Sequence, residues 1–188
     1  MAIRPTPILS ATEEKWLILD QHSNSTGIVV SKANFKRHPE YYRLAASIWI
    51  MNSRGEFLIQ KRASTLRCCP GLWSTTEGSV MYDENSYDAA LREAHEELGL
   101  ELDAEQCFFV LRSPSGHVWM DTFFARSEVE ISDLRLNPGE VDAAAWATIS
   151  DIDDLVAKGE FIPARWCFVR EMCKIFASGH DPRYLWIV

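Results

Sequence analysis

Residues 78–100 read GSVMYDENSYDAALREAHEELGL, and this stretch decides the fold. Its second half carries both ends of a helix. Asn85 or Ser86 supplies an N-cap acceptor, and Gly99 stands where helices end in a left-handed residue, so the spacing predicts a helix over 86–98. At about 100° per residue, Glu96, Glu93 and Glu97 fall within roughly 140° of Arg92, on one arc. Tyr87, Ala90, Leu91, Ala94 and Leu98 form an apolar stripe facing away from them and suited to packing on a sheet.

An amphipathic helix with a solvated acidic side would account for that pattern, but two details count against it. Glu93 and Glu97 are like charges one turn apart, which costs about 0.2–0.5 kcal/mol. Glu96 and Glu97 also crowd the helix C-terminus, where the macrodipole disfavours anions by roughly 0.3–1 kcal/mol each. Within the helix only Arg92, four residues before Glu96, offsets this repulsion. A bound divalent cation would resolve the conflict, because clustered carboxylate oxygens are the hard ligands that Mg2+ or Mn2+ selects.

Outward from the helix the pattern is mixed α/β, with most strands sequentially antiparallel. A hairpin is predicted at Trp16 to Asp20 and Thr26 to Ser31, around the polar run Gln21 to Ser25. Arg43 to Asn52 reads as a buried strand. Glu56 to Arg62 reads as an amphipathic one, with Phe57 and Ile59 on one face and Leu58 and Gln60 on the other. Thr65 to Trp73, with Pro70-Gly71, reads as a loop leading to a short strand that ends near Gly78. Further strands are predicted at Gln106 to Arg112, His117 to Arg126 and Ala143 to Ile149, and helices at Ser150 to Ala157 and Pro163 to Ala177. The polar stretch Ser31 to Tyr42 marks a boundary. Residues 1–42 are thus expected to form an N-terminal extension whose hairpin packs on a main domain of residues 43–188.

The 188 residues suit one ordinary domain, and 47% hydrophobic with 24% charged residues is a normal globular balance. With 27 acidic against 19 basic residues the net charge is −8, which argues against a nucleic-acid polymer as partner and requires any bound phosphate to be met locally. The start, MAIRPTPILSATEEKW, has no apolar core of a secretory signal, and no run approaches a membrane span, so a cytoplasmic chain with no membrane role is expected. Five cysteines without a CxxC pair point to reduced thiols. The hairpin and Trp186-Ile187-Val188 offer an apolar edge on which a homodimer could form.

Gly78, five residues, Glu84, seven residues and then Arg92-Glu93-Ala94-His95-Glu96-Glu97-Leu98-Gly99-Leu100 resembles the 23-residue signature of the Nudix hydrolase superfamily. All seven fixed positions match, and Ala94 is smaller than the strict pattern. The resemblance implies the Nudix fold, a mixed β-sheet sandwiched between helices (α/β/α). It also implies a divalent-metal-dependent hydrolase that cleaves a diphosphate bond in a nucleoside diphosphate linked to another moiety. By position, Glu93, Glu96 and Glu97 would hold Mg2+ or Mn2+, with the Gly78 carbonyl as a further ligand, while Arg92 and Glu84 would brace the loop against the helix. The catalytic set implied is Glu96, Glu97 and Glu140, one of which takes the proton of the attacking water; Glu140 lies in the later loop Asn137-Pro138-Gly139-Glu140-Val141. Lys61, Arg62 and Arg67 are candidates for substrate phosphate, and Trp73 and Phe124 for a pocket wall. His95 is expected to face solvent beside Arg92.

Trp16 to Ser31 followed by Ile48-Trp49-Ile50, Leu58-Ile59-Gln60-Lys61-Arg62 and Pro70-Gly71-Leu72-Trp73 looks like the superfamily branch that holds isopentenyl-diphosphate isomerase, a resemblance that runs from Trp16 to Phe168 and supplies a rival reading. That isomerase needs a Cys before the signature Gly, two metal-binding His before the first core strand, and acidic residues in a later strand. Here those places hold Glu77, Lys36 and Arg43 with His38 nearby, and Gly116-His117-Val118. Every signature Glu is kept, which favours hydrolase over isomerase and over a catalytically idle binding fold.

Overall fold

The computed structural model describes residues 14–35, 40–163 and 166–180. Their elements run β1 (Lys15–Leu19), β2 (Ser25–Ser31), β3 (Tyr42–Met51), β4 (Phe57–Arg62), β5 (Trp73–Ser74), β6 (Thr76–Ser79), α1 (Ser86–Leu98), β7 (Phe108–Ser115), β8 (Val118–Arg126), β9 (Val141–Ala147), α2 (Ile149–Ala157) and α3 (Trp166–Ala177). The predicted order of strands and helices is thereby present.

β3 is the axis of the sheet because its run Ala45 to Met51 is apolar apart from Ser47 and buried throughout, as a strand covered on both faces must be. Sequential neighbours are antiparallel, but the longest ladder is parallel and joins distant segments: β3 pairs with β8 from Arg43 opposite Val118 to Met51 opposite Arg126. The other edge of β3 is shared in series by β1 at Tyr42 and Arg43, β6 at Ala45 to Ile48, and β4 at Met51. β7 lines the outer side of β8, and β4 carries β9 and β5.

Helices cover both faces. Ala46, Ile48 and Ile50 of β3 pack with Ala89, Ala90, Ala94 and Leu98 of α1, while Trp49 and Met51 face Ile152 of α2 and Trp166, Val169, Cys173 and Phe176 of α3. β4 lies between the two clusters, Leu58 in the first and Phe57 and Ile59 in the second. This corrects the amphipathic reading of that strand: Phe57, Leu58, Ile59 and Gln60 are all buried, because α1 covers the face that alternation leaves for solvent. β7 starts two residues later than predicted, since Asp103 caps a 3-10 turn at Ala104–Gln106. β9 runs from Val141 to Ala147 and not to Ile149, because Thr148 and Asp151 form a capping box that opens α2.

The N-terminal hairpin continues the sheet, with Ile18 opposite Arg43 and buried beside Trp16 and Leu19. β2 is an outer strand and leaves Ile28 and Val29 exposed. Trp186-Ile187-Val188, the other half of the expected apolar edge, lies outside the described residues. No helix among the described residues is long and apolar enough to cross a membrane.

Candidate functional site

α1 is set in place by local chemistry at both ends. The Asn85 side chain accepts from the Asp88 N–H, and Gly99 closes the helix at φ 65° with its N–H donating to the His95 carbonyl. Past the helix, Arg135 N–H donates to the Leu98 carbonyl at 2.8 Å and Asn137 N–H to the Glu97 carbonyl at 2.9 Å. The last carbonyls of the helix thereby hold the loop that carries Glu140. The buried alanines of the apolar stripe let the helix lie close on β3 and β6. So close is the approach that a Cβ at Gly78 would overlap the Glu93 side chain, and glycine is required there by space rather than by backbone angle.

One guanidinium organises three carboxylates. Arg92 donates to Glu84 through Nε at 3.0 Å and Nη2 at 2.7 Å, to Glu93 at 2.8 Å, to Glu96 at 2.9 Å and to the Ser79 carbonyl at 3.1 Å. Glu84 in turn accepts from the Met81 N–H, which ties the loop before the helix to the helix itself. Burial works against the Arg92 charge, but the hydrogen bonds and attraction of Glu84 and Glu93 outweigh it and hold the group protonated.

Glu97 is the deepest member, 7% exposed, and its partner is neutral: Gln60 Nε2 donates to Glu97 Oε2 at 2.6 Å, while Thr76 Oγ1 donates to Gln60 Oε1 at 3.4 Å. Gln60 is a site residue that sequence reading misses, its one signal being a polar side chain in an otherwise apolar buried run. Burial pushes the Glu97 carboxyl up to about 8, against the pull of Gln60 and helped by repulsion from Glu93, Glu140 and Glu77. Burial likewise lifts Glu93 to about 7, with Arg92 opposing and Glu96 and Glu140 adding repulsion. Glu140 is exposed; its side chain accepts from Asn137 Nδ2 at 3.0 Å and its carbonyl from the Ala63 N–H at 2.9 Å.

The outer candidates separate. Lys61 Nζ lies 6.0 Å from the ring centre of half-buried Trp73, and Arg62 Nε donates to the Cys68 carbonyl. Arg67 is exposed. Phe124 is wholly buried in the cluster under α3, so it walls no pocket. His95 is exposed as expected, but its partner is Glu101 at 2.8 Å rather than Arg92. On the sheet face turned away from α1, a cavity of about 160 Å³ is lined by Arg43, Ser47, Glu77 and Thr122. A second, of about 430 Å³, lies beside Arg43, Trp16 and His117. Ser79 joins the two faces, its carbonyl taking the Arg92 bond and its hydroxyl one from Arg43 at 2.7 Å. Of the places where the rival isomerase needs ligands, Lys36 and His38 lie outside the described residues.

Hard oxygen donors grouped on one helix face, two of them with carboxyls raised by burial, are chemistry that suits a divalent ion. As the side chains stand, no three acidic, His or Cys groups among the described residues enclose one point closely enough to hold it. Arg92 and Gln60 occupy the oxygens instead.

A mixed sheet clasped by helices, with a carboxylate-rich helix following a strand that carries Gly78, defines the class. The NUDIX domain model matches residues 41–172, and the chain belongs to that family, whose hydrolases act on diphosphate bonds. It is 33% identical to an uncharacterized Nudix hydrolase of Listeria monocytogenes over 80% of this chain and 89% of the relative. It is 30% identical to the isopentenyl-diphosphate Delta-isomerase of Cutibacterium acnes over 80% and 81%. Among solved structures, a Deinococcus radiodurans protein matches with a TM-score of 0.70 at 20% identity, over 85% of this chain and 99% of that one.

Proposed function

We propose that the chain is a cytoplasmic, divalent-metal-dependent hydrolase that cleaves the diphosphate bond of a nucleoside diphosphate linked to another group. One observation carries this: Glu93, Glu96 and Glu97 lie on one face of α1, Glu93 against Gly78, with more carboxylates than Arg92 balances. In this reading the three glutamates and the Gly78 carbonyl hold Mg2+ or Mn2+. When bound, the cation supplies neutralisation of the diphosphate and acidification of a nearby water. Arg92 and Glu84 tie the loop before the helix to the helix, which holds Gly78 beside α1. Glu96, Glu97 or Glu140 takes the proton of the attacking water; that the loop of Glu140 bonds the Glu97 carbonyl, and that Glu140 repels both Glu93 and Glu97, supports counting it with them. Lys61 and Arg62, at the end of β4, meet phosphate oxygens. Formation of nucleoside monophosphate is measured with Mg2+ and with Mn2+ over a panel of nucleoside diphosphate derivatives; its absence for every member, with both metals, defeats the reading.

The likeness to an isomerase favours a second reading, in which the diphosphate stays intact and a double bond moves. Against it, Glu77 stands in the cavity wall at the position where that reading needs a thiol. Incubation with isopentenyl diphosphate decides: formation of the dimethylallyl isomer supports isomerase, and its absence leaves the hydrolase.

A further inference from the structure

The loop from β4 to β5 carries two nucleophiles that the proposed hydrolysis leaves unused. Cys68 and Cys69 are neighbours in sequence, and their Sγ atoms lie 3.5 Å apart. Side chains of adjacent residues in extended chain point to opposite sides. Here the backbone turns at Cys69, whose φ of 50° is a left-handed conformation that residues with a side chain seldom adopt, and the two thiols meet. Cys68 is exposed and Cys69 partly so, whereas Cys107 and Cys173 are buried. The same loop is bound to Arg62, whose N–H donates to the Leu72 carbonyl, whose carbonyl accepts from the Gly71 N–H, and whose Nε donates to the Cys68 carbonyl at 3.2 Å. That last acceptor belongs to the peptide that links the two cysteines.

We propose that Cys68 and Cys69 are a redox-modifiable pair that closes to an intrachain disulfide by exchange with a small-molecule disulfide, and that closure resets Arg62. The exposed Cys68 thiolate attacks one sulfur of the small disulfide, forming a mixed disulfide and expelling the first small thiolate. The Cys69 thiolate then attacks the Cys68 sulfur and expels the second. Two protein thiols are oxidised, one small disulfide is reduced to two thiols, and the two protons pass to solvent or to the leaving thiolates. Burial and the contact with Cys68 push the Cys69 thiol up, with the Arg62 charge opposing, which suits it to the second attack rather than the first. Bridging neighbouring residues closes a small ring through their shared peptide and turns it, so the carbonyl held by Arg62 moves. The consequence for catalysis rests on the reading of Arg62 as a phosphate group holder; the bridge does not.

The full chain, reduced and then equilibrated with oxidised glutathione, is read by intact mass and peptide mapping. Expected is a loss of two hydrogens confined to the Cys68–Cys69 peptide and reversed by dithiothreitol, with C68S and C69S each stopping at one added glutathione. Glutathione retained on both cysteines, or a bridge between chains, overturns the pair. Loop movement is read without turnover by trypsin cleavage after Arg67, which slows about fivefold on oxidation. In turnover, KM for the diphosphate substrate rises about tenfold with kcat nearly kept, and R62A removes that difference. Unchanged cleavage together with unchanged KM overturns the control of Arg62. A reduced enzyme that hydrolyses nothing overturns the hydrolase reading alone, because mass and trypsin still decide the bridge and the movement.

Discussion

Arginine meets carboxylate on both faces of the sheet, with opposite results. Between α2 and α3, Arg170 forks onto Asp153 at 2.6 Å through Nη2 and 2.7 Å through Nε, and Trp166 Nε1 adds a third donor at 2.8 Å. Arg170 also reaches Glu171, which Lys174 shares, so two cations meet two carboxylates, and the hydrogen bonds led by Arg170 hold the Asp153 carboxyl below its usual range. On α1 a single guanidinium is divided among Glu84, Glu93 and Glu96, while Glu97 receives only an amide. Two carboxyls there rise to about 7 and about 8. The residue types are alike; burial and the ratio of charges decide the sign. Matched charges are a finished piece of structure, whereas in the proposed reading the unbalanced buried carboxylates are completed by a further cation.

The largest test of that contrast is catalytic. Glu97→Gln should lower kcat for diphosphate hydrolysis by about a thousandfold with the fold intact, while Asp153→Asn leaves turnover nearly unchanged. Comparable nucleoside monophosphate formation by E97Q and the parent would erase the distinction between the two clusters. Next in size is stability in urea: Arg92→Ala should cost about 3 kcal/mol because it strands several half-buried carboxylates, and Arg170→Ala distinctly less because its pair is a third exposed.

Acidity should separate the clusters as well. Glu93 and Glu97 hold protons in the folded chain up to about 7 and about 8 but release them near 4.5 when unfolded. Between those values the folded state binds more protons, so metal-free stability falls as pH rises, and the melting temperature should drop by several degrees. Mg2+ should flatten this slope, and a slope unchanged in E97Q would dissociate it from the arc. Asp153 acts in the other direction, its contribution being lost as pH falls below about 3.8. Gly78→Ala should cost about 1–3 kcal/mol, since the Glu93 side chain overlaps the new methyl from Cγ to Oε1 and must leave its bond to Arg92; metal-dependent turnover should suffer more than stability.

What was legible in the chain was what short-range chemistry writes. α1 matches its predicted limits because Asn85 and Gly99 are local signals, and the arc follows from helical geometry once those limits stand. β9 was placed two residues too far along because its end depends on Thr148 and Asp151, a capping pair read there as strand and helix start. The burial of Glu97 and the part played by Gln60 were hidden, since both arise where α1 crosses β4, and no period in either segment records that crossing. The division of Arg92 among its partners was equally out of reach, for Glu84 and Ser79 approach it through the loop before the helix.

The parallel ladder between β3 and β8 has a consequence for the order of assembly. Arg43 finds Val118, and Met51 finds Arg126, across a long span of intervening chain, so this contact carries a high loop-closure cost and belongs to the slow part of folding. During synthesis from the N-terminus, β3 leaves the ribosome well before the strand that will cover its second edge. Until then its apolar edge is open to any other extended segment, and the nascent chain is most exposed to aggregation in that interval.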